Sequence, residues 1–408
     1  MNNVMIMCQF FYPEEVSSSL LPYQTAKKLS DNGINTSVLC GYPNEYNVRG
    51  KKEIPKKEVV NNIFIRRLKY IQLSKKGKVS RLINYFSFII AMLFNVRKTK
   101  NVDTIIVYSN PPLLPIVSLL ANKLYKCKII FISYDVYPEI AIELEVLSQS
   151  SMISKITNRI NNSLFKRASQ VVVLSNDMKD FYIREKQIES KKISVIENWA
   201  TEEYQVVRDI KSNDFKIIKD DFNLIITYLG NIGKAQDIKT IIDTIKENDI
   251  KNRKIAFIFA GRGEKKEWLL EEKNKNKLNN LFIFDYLIGS DLNDLLNISD
   301  MFIVSLEKGL SGLAVPSKTY SYYQAKKPII AIMEESTQIF KEIKDNKCGI
   351  SVENGNVIHL KNEIIKICKD KNLLNDFNVN MNKFSEKYNN GEQLNKYLKL
   401  VQEIMEEK

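Results

Sequence analysis

The chain has 408 residues, of which 44% are hydrophobic and 27% charged, and its formal net charge is +13. These values exclude a disordered chain and predict two soluble domains of ordinary size, each large enough to bury a core. The positive charge indicates a negatively charged partner, such as an anionic membrane surface or a phosphorylated substrate. Nucleic acid is the least favoured partner, because the lysines are spread along the chain without aromatic-interleaved basic blocks.

Cysteine and histidine usage narrows the chemistry. The five cysteines lie far apart with no CxxC pair, a pattern typical of reduced and mostly buried thiols in a cytosolic protein. His359 is the only histidine, which excludes a Ser-His-Asp triad and a histidine-rich metal site. The stretch MNNVMIMCQFFYP has no basic region before its short apolar run, so it predicts a strand and not a signal peptide.

The first half of the chain alternates short apolar runs with longer helical patterns. The runs predict strands at Val4–Phe10, Thr36–Cys40, Ile63–Ile65, Thr104–Tyr108, Lys128–Ile132, Val171–Leu174 and Ile193–Ile196. The segments between them predict helices, among them Ser19–Asn32, Leu113–Tyr125, Met152–Arg167 and Asp177–Lys186. This alternation favours a parallel sheet covered by helices on both faces.

The same alternation restarts after a polar stretch, Thr201–Asp221. Further strands are predicted at Leu224–Leu229, Lys254–Ala260, Leu281–Phe284, Met301–Val304, Ile329–Ile332 and Ile350–Val352, and the last stretch, Leu373–Lys408, is helical in pattern. The fold class is therefore α/β, with two similar domains that we place at residues 1–203 and 204–385. Ligands of such sheets bind at the carboxyl ends of the strands, so the residues that follow each strand are the first candidates for function.

Two segments after strands of the first domain carry candidate residues. In FYPEEVSSSLLPY one of Ser17, Ser18 and Ser19 is expected to cap the next helix, and three small residues also permit close approach of a phosphate. In SYDVYPEIAIELE, Asp135 and Glu139 are candidates for an acid or a base, the alternative being surface carboxylates.

The second domain opens with the turn GNIGKAQD, which includes Asn231 and Asp237. Gly230 and Gly233 bracket the turn after a strand, which favours a phosphate site with Lys234 nearby over a plain strand-to-helix connection.

The next strand is followed by GRGEKKEW. There Arg262 can offer a fork of donors to a phosphate or a base, whereas Lys265 and Lys266 are expected to be solvated.

The segment GLAVPSKTYSYYQAKKPII, residues 312–330, combines a proline, a hydroxyl and an ammonium where a helix begins. Pro316 suits a first helical turn, and Ser317 and Lys318 follow at once. The positive end of a helix favours anions, so the segment predicts an anion site. The alternative is a helix start with a solvated lysine.

Residues 81–100, RLINYFSFIIAMLFNVRKTK, hold an apolar run of about 13 residues, shorter than the roughly 20 that a membrane span needs. Basic residues flank the run at Lys75, Lys76, Lys78, Arg81, Arg97, Lys98 and Lys100. The pattern fits a buried core helix or a helix that lies on an anionic membrane surface, and we predict the second.

The ordered set of these segments resembles glycosyltransferase family 4, the retaining nucleotide-sugar enzymes. The resemblance covers nearly the whole chain and is carried by FYPEEVSSS, YDVYPE, ENWA, GNIGKAQD, AGRG and LAVPSKTYSYYQAKKPIIA. It is greatest for the branch that builds O-antigen, capsule and colanic acid, including L-fucosamine transferase-like proteins. It implies two facing Rossmann-like domains of the GT-B type with a cleft between them, the first binding the acceptor and the second the donor. A C-terminal helix, residues 386–408, would return to the first domain.

The resemblance also implies roles for individual residues. Two glutamates that the family usually carries are absent, because their positions hold Leu313 and Ser321. Lys318 is then expected to meet the donor diphosphate, Glu307 the transferred sugar, and Ser321 the ribose as a weaker substitute. The catalytic candidates are Asp135, Lys234, Glu307 and Lys318, and the donor-binding candidates are Ser18, Gly230, Asn231, Gly233, Asp237, Arg262, Ser317 and Ser321.

The expected reaction moves a hexosyl or N-acetylhexosaminyl unit from a nucleotide sugar, with uridine as the expected base, to a polyprenyl-diphosphate-linked glycan on the cytoplasmic face of a membrane. No metal cofactor is expected, since Asp220 and Asp221 stand in a polar linker and do not form an Asp-x-Asp pair. Two alternatives stay open: a nucleotide-sugar 2-epimerase, and a non-catalytic member that binds the nucleotide sugar.

Overall fold

A computed structural model describes residues 3–43, 54–73, 78–201, 209–388 and 390–407. The chain forms two compact units. Unit 1 comprises Met1–Thr201, Gly312–Val315 and Asn390–Lys408, and unit 2 comprises Glu202–Ser311 and Pro316–Asn389. The short return of Gly312–Val315 to unit 1 has no signal in the sequence.

Unit 1 is built on a sheet of eight strands. The strands are β1 (Asn3–Cys8), β2 (Asn35–Gly41), β3 (Lys57–Val60), β4 (Ile63–Leu68), β5 (Thr104–Tyr108), β6 (Lys128–Ser133), β7 (Gln170–Val173) and β8 (Ile193–Val195). The helices are α1 (Ser17–Asp31), α2 (Lys78–Phe94), α3 (Pro115–Tyr125), α4 (Glu139–Glu143), α5 (Met152–Arg167) and α6 (Asn176–Lys186). The predicted strands are all present, because runs such as β5, in which every residue is buried, can only lie inside a sheet covered on both faces.

The strand order in unit 1 is β3-β4-β2-β1-β5-β6-β7-β8. All pairs are parallel except β3 with β4, which is antiparallel. The sequence analysis missed β3, since this four-residue edge strand, KEVV, buries none of its side chains fully.

Unit 2 is built on a sheet of six parallel strands in the order β11-β10-β9-β12-β13-β14. The strands are β9 (Leu224–Asn231), β10 (Ile255–Arg262), β11 (Leu281–Phe284), β12 (Met301–Ser305), β13 (Ile329–Ile332) and β14 (Gly349–Val352). The helices are α7 (Asn213–Asp221), α8 (Ile238–Lys246), α9 (Asn248–Lys251), α10 (Lys266–Asn276), α11 (Gly289–Ile298), α12 (Lys318–Gln324), α13 (Gln338–Asp345), α14 (Val357–Lys369) and α15 (Lys371–Ser385). The order reverses between β9 and β12, which is where a doubly wound sheet binds its ligand.

The last helix, α16 (Asn390–Glu406), belongs to unit 1. Its buried side chains Tyr397, Val401 and Ile404 join the core of that unit, and Tyr397 packs edge-on against Trp199 with ring centroids 6.0 Å apart. The amide of Asn390 donates to the carbonyl of Ala200 at 2.9 Å, which fixes the start of the helix.

Two local predictions are wrong. Ser17, Ser18 and Ser19 do not cap α1: they lie in its first turn, the residue before it is Val16, and Ser19 donates to the carbonyl of Glu14 instead. Asp220 and Asp221 do not lie in a linker, because they form the last turn of α7, whose cap is Ser212.

Candidate functional site

Glycines shape the carboxyl ends of β9 and β10. Gly230 has φ of +120°, in the region that side chains other than glycine rarely adopt. A Cβ on Gly261 would lie 1.7 Å from the carbonyl oxygen of Gly230, so the two strand ends can approach only because residue 261 is glycine. The result is a pair of buried glycines at the carboxyl ends of β9 and β10, beside the reversal point of the sheet in unit 2.

The side chain of Lys318 lies over Gly230. A Cβ built on Gly230 would meet Cε of Lys318 at 2.2 Å and its Nζ at 2.8 Å, so the lysine tail fills the space that a side chain would occupy. One turn later in α12, the hydroxyl of Tyr322 accepts a hydrogen bond from the Leu229 amide at 2.9 Å. Tyr322 also stacks on Phe302 with ring centroids 4.3 Å apart, so β9 and β12 together hold the helix that carries Lys318.

Tyr286 completes the cluster. The guanidinium of Arg262 lies 5.6 Å from the centroid of its ring, and Nζ of Lys318 lies 5.9 Å from it. Two cations beside one aromatic ring are each attracted by the ring but repel one another, so an anion between them would lower their energy. The sequence analysis missed Tyr286, although the segment DYLIG after β11 stands at a strand end and could have marked it.

The positive charge of this cluster comes from the side chains of Arg262 and Lys318 and not from a helix dipole. The helix α12 has only seven residues, its N-cap Ser317 makes no side-chain cap hydrogen bond, and Pro316 lies two residues before the first helical residue. Ser317 and Ser321 are exposed on the same helix. The sequence-based account of this segment therefore overstates the part of the helix end, and the contact of Lys318 with a donor stays a prediction.

The turn GNIGKAQD differs from the expected strand–turn–helix unit. The helix α8 begins at Ile238, after a loop in which the Gly233 amide donates to the side chain of Gln236 at 3.0 Å. The carboxylate of Asp237 accepts hydrogen bonds from the backbone and hydroxyl of Thr240, so it caps the helix. Asn231 and Lys234 are exposed, and their predicted contacts with a donor stay predictions.

Glu307 forms an ion pair with Lys265 at 3.2 Å, and Lys265 also donates to the carbonyl of Gln236. Lys266 pairs with Asp285 at 2.5 Å. Both lysines therefore have protein partners, and the prediction that Lys265 and Lys266 are solvated is wrong. Glu307 and Lys265 line a cavity of about 620 Å³ in unit 2. The other lining residues include Asp237, Trp268 and Asn354.

Asp135 lies in unit 1, at the end of β6. Its backbone amide donates to the hydroxyl of Ser109 at 3.3 Å, and it forms an isolated antiparallel bridge with Ala314. Burial raises the pKa of the Asp135 carboxyl to about 6. A carboxyl group with that pKa can change its protonation state near neutral pH, as an acid or a base must.

The raised pKa of Asp135 predicts how stability and activity depend on pH. The carboxyl of an unfolded chain has a pKa near 3.9, so ionisation of Asp135 lowers the stability of the folded protein as pH rises from about 4 to about 6. We expect Asp135→Asn to gain stability over the parent across this interval and to keep a constant advantage above it, measured by urea unfolding. If the carboxyl takes part in the reaction, kcat/KM of the parent changes with an apparent pKa of about 6 and that of the variant does not. A parent without this inflection would contradict the acid–base role.

The structure therefore brings Gly230, Arg262 and Lys318 together within unit 2, with Tyr286 added. Asp135 and Ser18 belong to unit 1, where Ser18 lies half-buried in the first turn of α1. Among the described residues, no group of three His, Cys, Asp or Glu side chains is placed to hold a metal ion.

Solved structures identify the class of the fold. The chain superposes on Anabaena HepE in complex with UDP and glucose with a TM-score of 0.72, 13% identity and 99% coverage of both chains. It superposes on WaaG, described as a glycosyltransferase involved in lipopolysaccharide biosynthesis, with a TM-score of 0.67, 11% identity and coverage of 98% and 99%. The predicted fold class is confirmed: the protein has the GT-B glycosyltransferase fold, with two Rossmann-like α/β domains.

Two family models match the two halves of the chain. Residues 22–203 match the model described as Glycosyltransferase Family 4, and residues 209–384 match Glycosyl transferases group 1. "Probable glycosyltransferase WbjE" of Pseudomonas aeruginosa is 28% identical over 68% of this chain and 70% of its own. Chitobiosyldiphosphodolichol beta-mannosyltransferase of Candida glabrata is 23% identical over 75% and 71%. The chain is a glycosyltransferase, whose first half matches the Family 4 model and whose second half matches the group 1 model.

Proposed function

We propose that the protein transfers a hexosyl or N-acetylhexosaminyl unit from a uridine-diphosphate sugar to a lipid-linked glycan, with retention at the anomeric carbon. The observation that carries the proposal is the pair of cations, Arg262 and Lys318, held around Tyr286, with the Lys318 tail over Gly230. A diphosphate carries negative charge that both cations can bind, and the aromatic ring offers a face to the base or the ribose. The HepE structure contains UDP, which supports the choice of uridine.

The chemistry follows from where charge develops. As the glycosidic bond to the phosphate lengthens, negative charge grows on the departing diphosphate. Fixed cations at that point stabilise the transition state more than the bound donor, which is the condition for a faster reaction. The guanidinium of Arg262 can bind two phosphate oxygens at once, while Lys318 acts as a point charge. The departing phosphate takes the proton of the acceptor hydroxyl, and we propose that these two cations make a metal ion unnecessary.

Asp135 and Glu307 are proposed to act on the sugars. Asp135 is half-buried and has a raised pKa, so it can orient the acceptor hydroxyl or relay its proton to the departing phosphate. Glu307 is proposed to hold hydroxyls of the transferred sugar, and its carboxylate pairs with Lys265 at 3.2 Å.

The acceptor is proposed to be a glycan on a polyprenyl diphosphate, and the product a surface polysaccharide. The mannosyltransferase relative is named for a dolichol diphosphate acceptor, and WaaG is described as involved in lipopolysaccharide biosynthesis. Such an acceptor places the reaction on the cytoplasmic face of a membrane, with the protein bound at its surface.

Donor binding is tested with a thermal-shift series over uridine, guanosine, adenosine and cytidine diphosphates, with and without a chelator. A ligand at 100 times its Kd stabilises the folded state by about 2.7 kcal/mol, so the expected result is a shift of several degrees for uridine diphosphate alone, unchanged by the chelator. A larger shift with another base would overturn the choice of uridine. A shift that the chelator abolishes would overturn metal independence.

Transfer itself is tested with UDP-sugars and a polyprenyl-diphosphate glycan in detergent micelles. The expected result is a labelled lipid-linked product with the donor's anomeric configuration. Conversion of the donor without any acceptor would indicate an epimerase. Donor binding without product on a panel of lipid-linked acceptors would indicate the non-catalytic member.

A further inference from the structure

The helix α2 has an apolar face that is exposed. Among the side chains of α2 that the structure describes, all six exposed ones are apolar: Val79, Leu82, Ile83, Phe86, Ile90 and Phe94. Val79, Ile83, Phe86, Ile90 and Phe94 follow one another at three or four residues and Leu82 adjoins them, so all six lie on one stripe along the helix, which we call the outer face. The opposite side, with Phe88, Ile89 and Met92, is buried in unit 1. The helix therefore has one buried and one exposed apolar side.

A helix on a protein surface normally turns polar side chains to water, and a helix that is apolar all round is normally covered. The outer face breaks this pattern most at its end, where Phe94 is 84% exposed. An exposed apolar surface of this extent marks a place where something binds.

The segment beside the helix extends the same surface. Ile71 is 52% and Leu73 42% exposed. Beneath them, Asn84 exchanges two hydrogen bonds with the backbone of Leu73, at 2.8 and 2.9 Å, and the Ser87 hydroxyl accepts from the Ile71 amide at 3.1 Å. The polar backbone of this segment is thus satisfied by side chains of α2. That arrangement suits a surface that loses contact with water, because unpaired backbone groups are costly there.

The charge of this part of the chain indicates the kind of partner. In the sequence, residues 59–102 contain ten Lys or Arg and no Asp or Glu, and one of the ten, Arg67, is buried and paired with Glu58. Arg97, Lys98 and Lys100, which follow α2, are exposed. A second copy of the chain would bring a surface of the same sign against this one, so self-association is disfavoured. An anionic bilayer offers both an apolar interior and negative headgroups.

We propose that the outer face of α2, with Ile71 and Leu73, inserts into the headgroup and acyl boundary of an anionic bilayer. The helix is about 25 Å long, so it lies in the plane of the interface and exposes its whole outer face to lipid. No helix in the described part of the chain is long and apolar enough to cross a membrane. The inference deepens the proposed function, since it names the surface that brings the enzyme to a lipid-linked acceptor, and it rests on the exposure of α2 independently of the donor site.

The test is co-sedimentation of the full chain with vesicles of neutral lipid alone and of neutral lipid with about a third anionic lipid, at about 0.1 M and about 1 M salt. The Debye length falls from about 10 Å to about 3 Å between these conditions, so an electrostatic attachment is lost. The parent is expected to bind anionic vesicles at low salt and to keep part of that binding at high salt, because the apolar contact is not screened.

The decisive variant is Ile90→Ser with Phe94→Ser, two exposed residues one turn apart. The matched control is Met152→Ser with Ile156→Ser, which are 73% and 44% exposed and have the same spacing on α5 of unit 1. The partition coefficient is expected to fall at least tenfold for the α2 pair and less than twofold for the control. A third variant, with Arg97, Lys98 and Lys100 changed to Ser, is expected to bind less than the parent at low salt and to resemble the parent at high salt.

Equal partitioning of the parent and the α2 variant would overturn the proposal. So would light scattering that finds a dimer in the parent and a monomer in the variant, since a second copy would then cover the face. Binding of uridine diphosphate by the α2 variant is expected to equal that of the parent. If the variant loses vesicle binding and still transfers sugar to a short water-soluble acceptor, the substitutions have removed membrane binding and left catalysis intact.

Discussion

Replacing Lys318 by alanine is expected to weaken the binding of uridine diphosphate by about 10- to 100-fold. A charge-assisted hydrogen bond to a phosphate contributes about 1.5–3 kcal/mol, and each 1.4 kcal/mol corresponds to a factor of ten in Kd. The stability of the free protein is expected to change little, because the lysine tail lies over Gly230 at the carboxyl end of β9 and not in a hydrophobic core. Titration calorimetry and urea unfolding measure the two effects on the same samples.

The matched control is Lys341→Ala, which removes an exposed lysine from α13 in the same unit. The control lowers the net charge equally, so a general loss of positive potential would weaken both variants alike. Lys318→Arg keeps the charge with a different shape and is expected to fall between the parent and Lys318→Ala. If Lys318→Ala binds uridine diphosphate as tightly as the parent, Lys318 does not contact the diphosphate.

Replacing Gly230 by alanine is expected to damage both stability and donor binding. At φ of +120° a residue with a Cβ is strained, at a cost of about 1–3 kcal/mol in the free energy of unfolding. The new Cβ would also stand 2.2 Å from Cε of Lys318. The lysine tail is flexible and can swing away at small cost, but its ammonium then leaves the position beside Tyr286. Binding of uridine diphosphate is therefore expected to fall at least as far as in Lys318→Ala.

Gly289→Ala separates the two effects. Gly289 has φ of +60°, and a Cβ there would meet no atom within 4 Å, so this variant carries backbone strain without displacing Lys318. It is expected to lose stability and to keep donor binding. The double variant of Gly230→Ala with Lys318→Ala completes the test, because once the lysine is gone the alanine has nothing left to displace. Additive losses of binding in the double variant would show that Gly230 acts on the donor by a route other than Lys318.

The sequence by itself determined the fold class and most of the strand positions. Runs such as Thr104–Tyr108 and Ile329–Ile332 are apolar at every position, and only a sheet covered on both faces buries them. The glycines at 230 and 261 marked the strand ends in the sequence, but they do not form turns there, because both lie within β9 and β10 and pair with each other. Lys318 was identified as a donor contact from its place in a recognisable segment, and its role in binding stays a prediction.

Only the tertiary structure decided which of these residues meet. Arg262, Tyr286 and Lys318 follow or lie near three different strands, and their proximity depends on the strand order β11-β10-β9-β12. The order comes from how helices pack on the sheet, so no short-range pattern contains it. The same holds for α2, whose sequence is apolar around most of its circumference, apart from residues such as Asn84 and Ser87, so its pattern does not tell the buried face from the exposed one. The helix packs against β4 and α3, with Phe88 and Met92 buried and Phe86, Ile90 and Phe94 exposed.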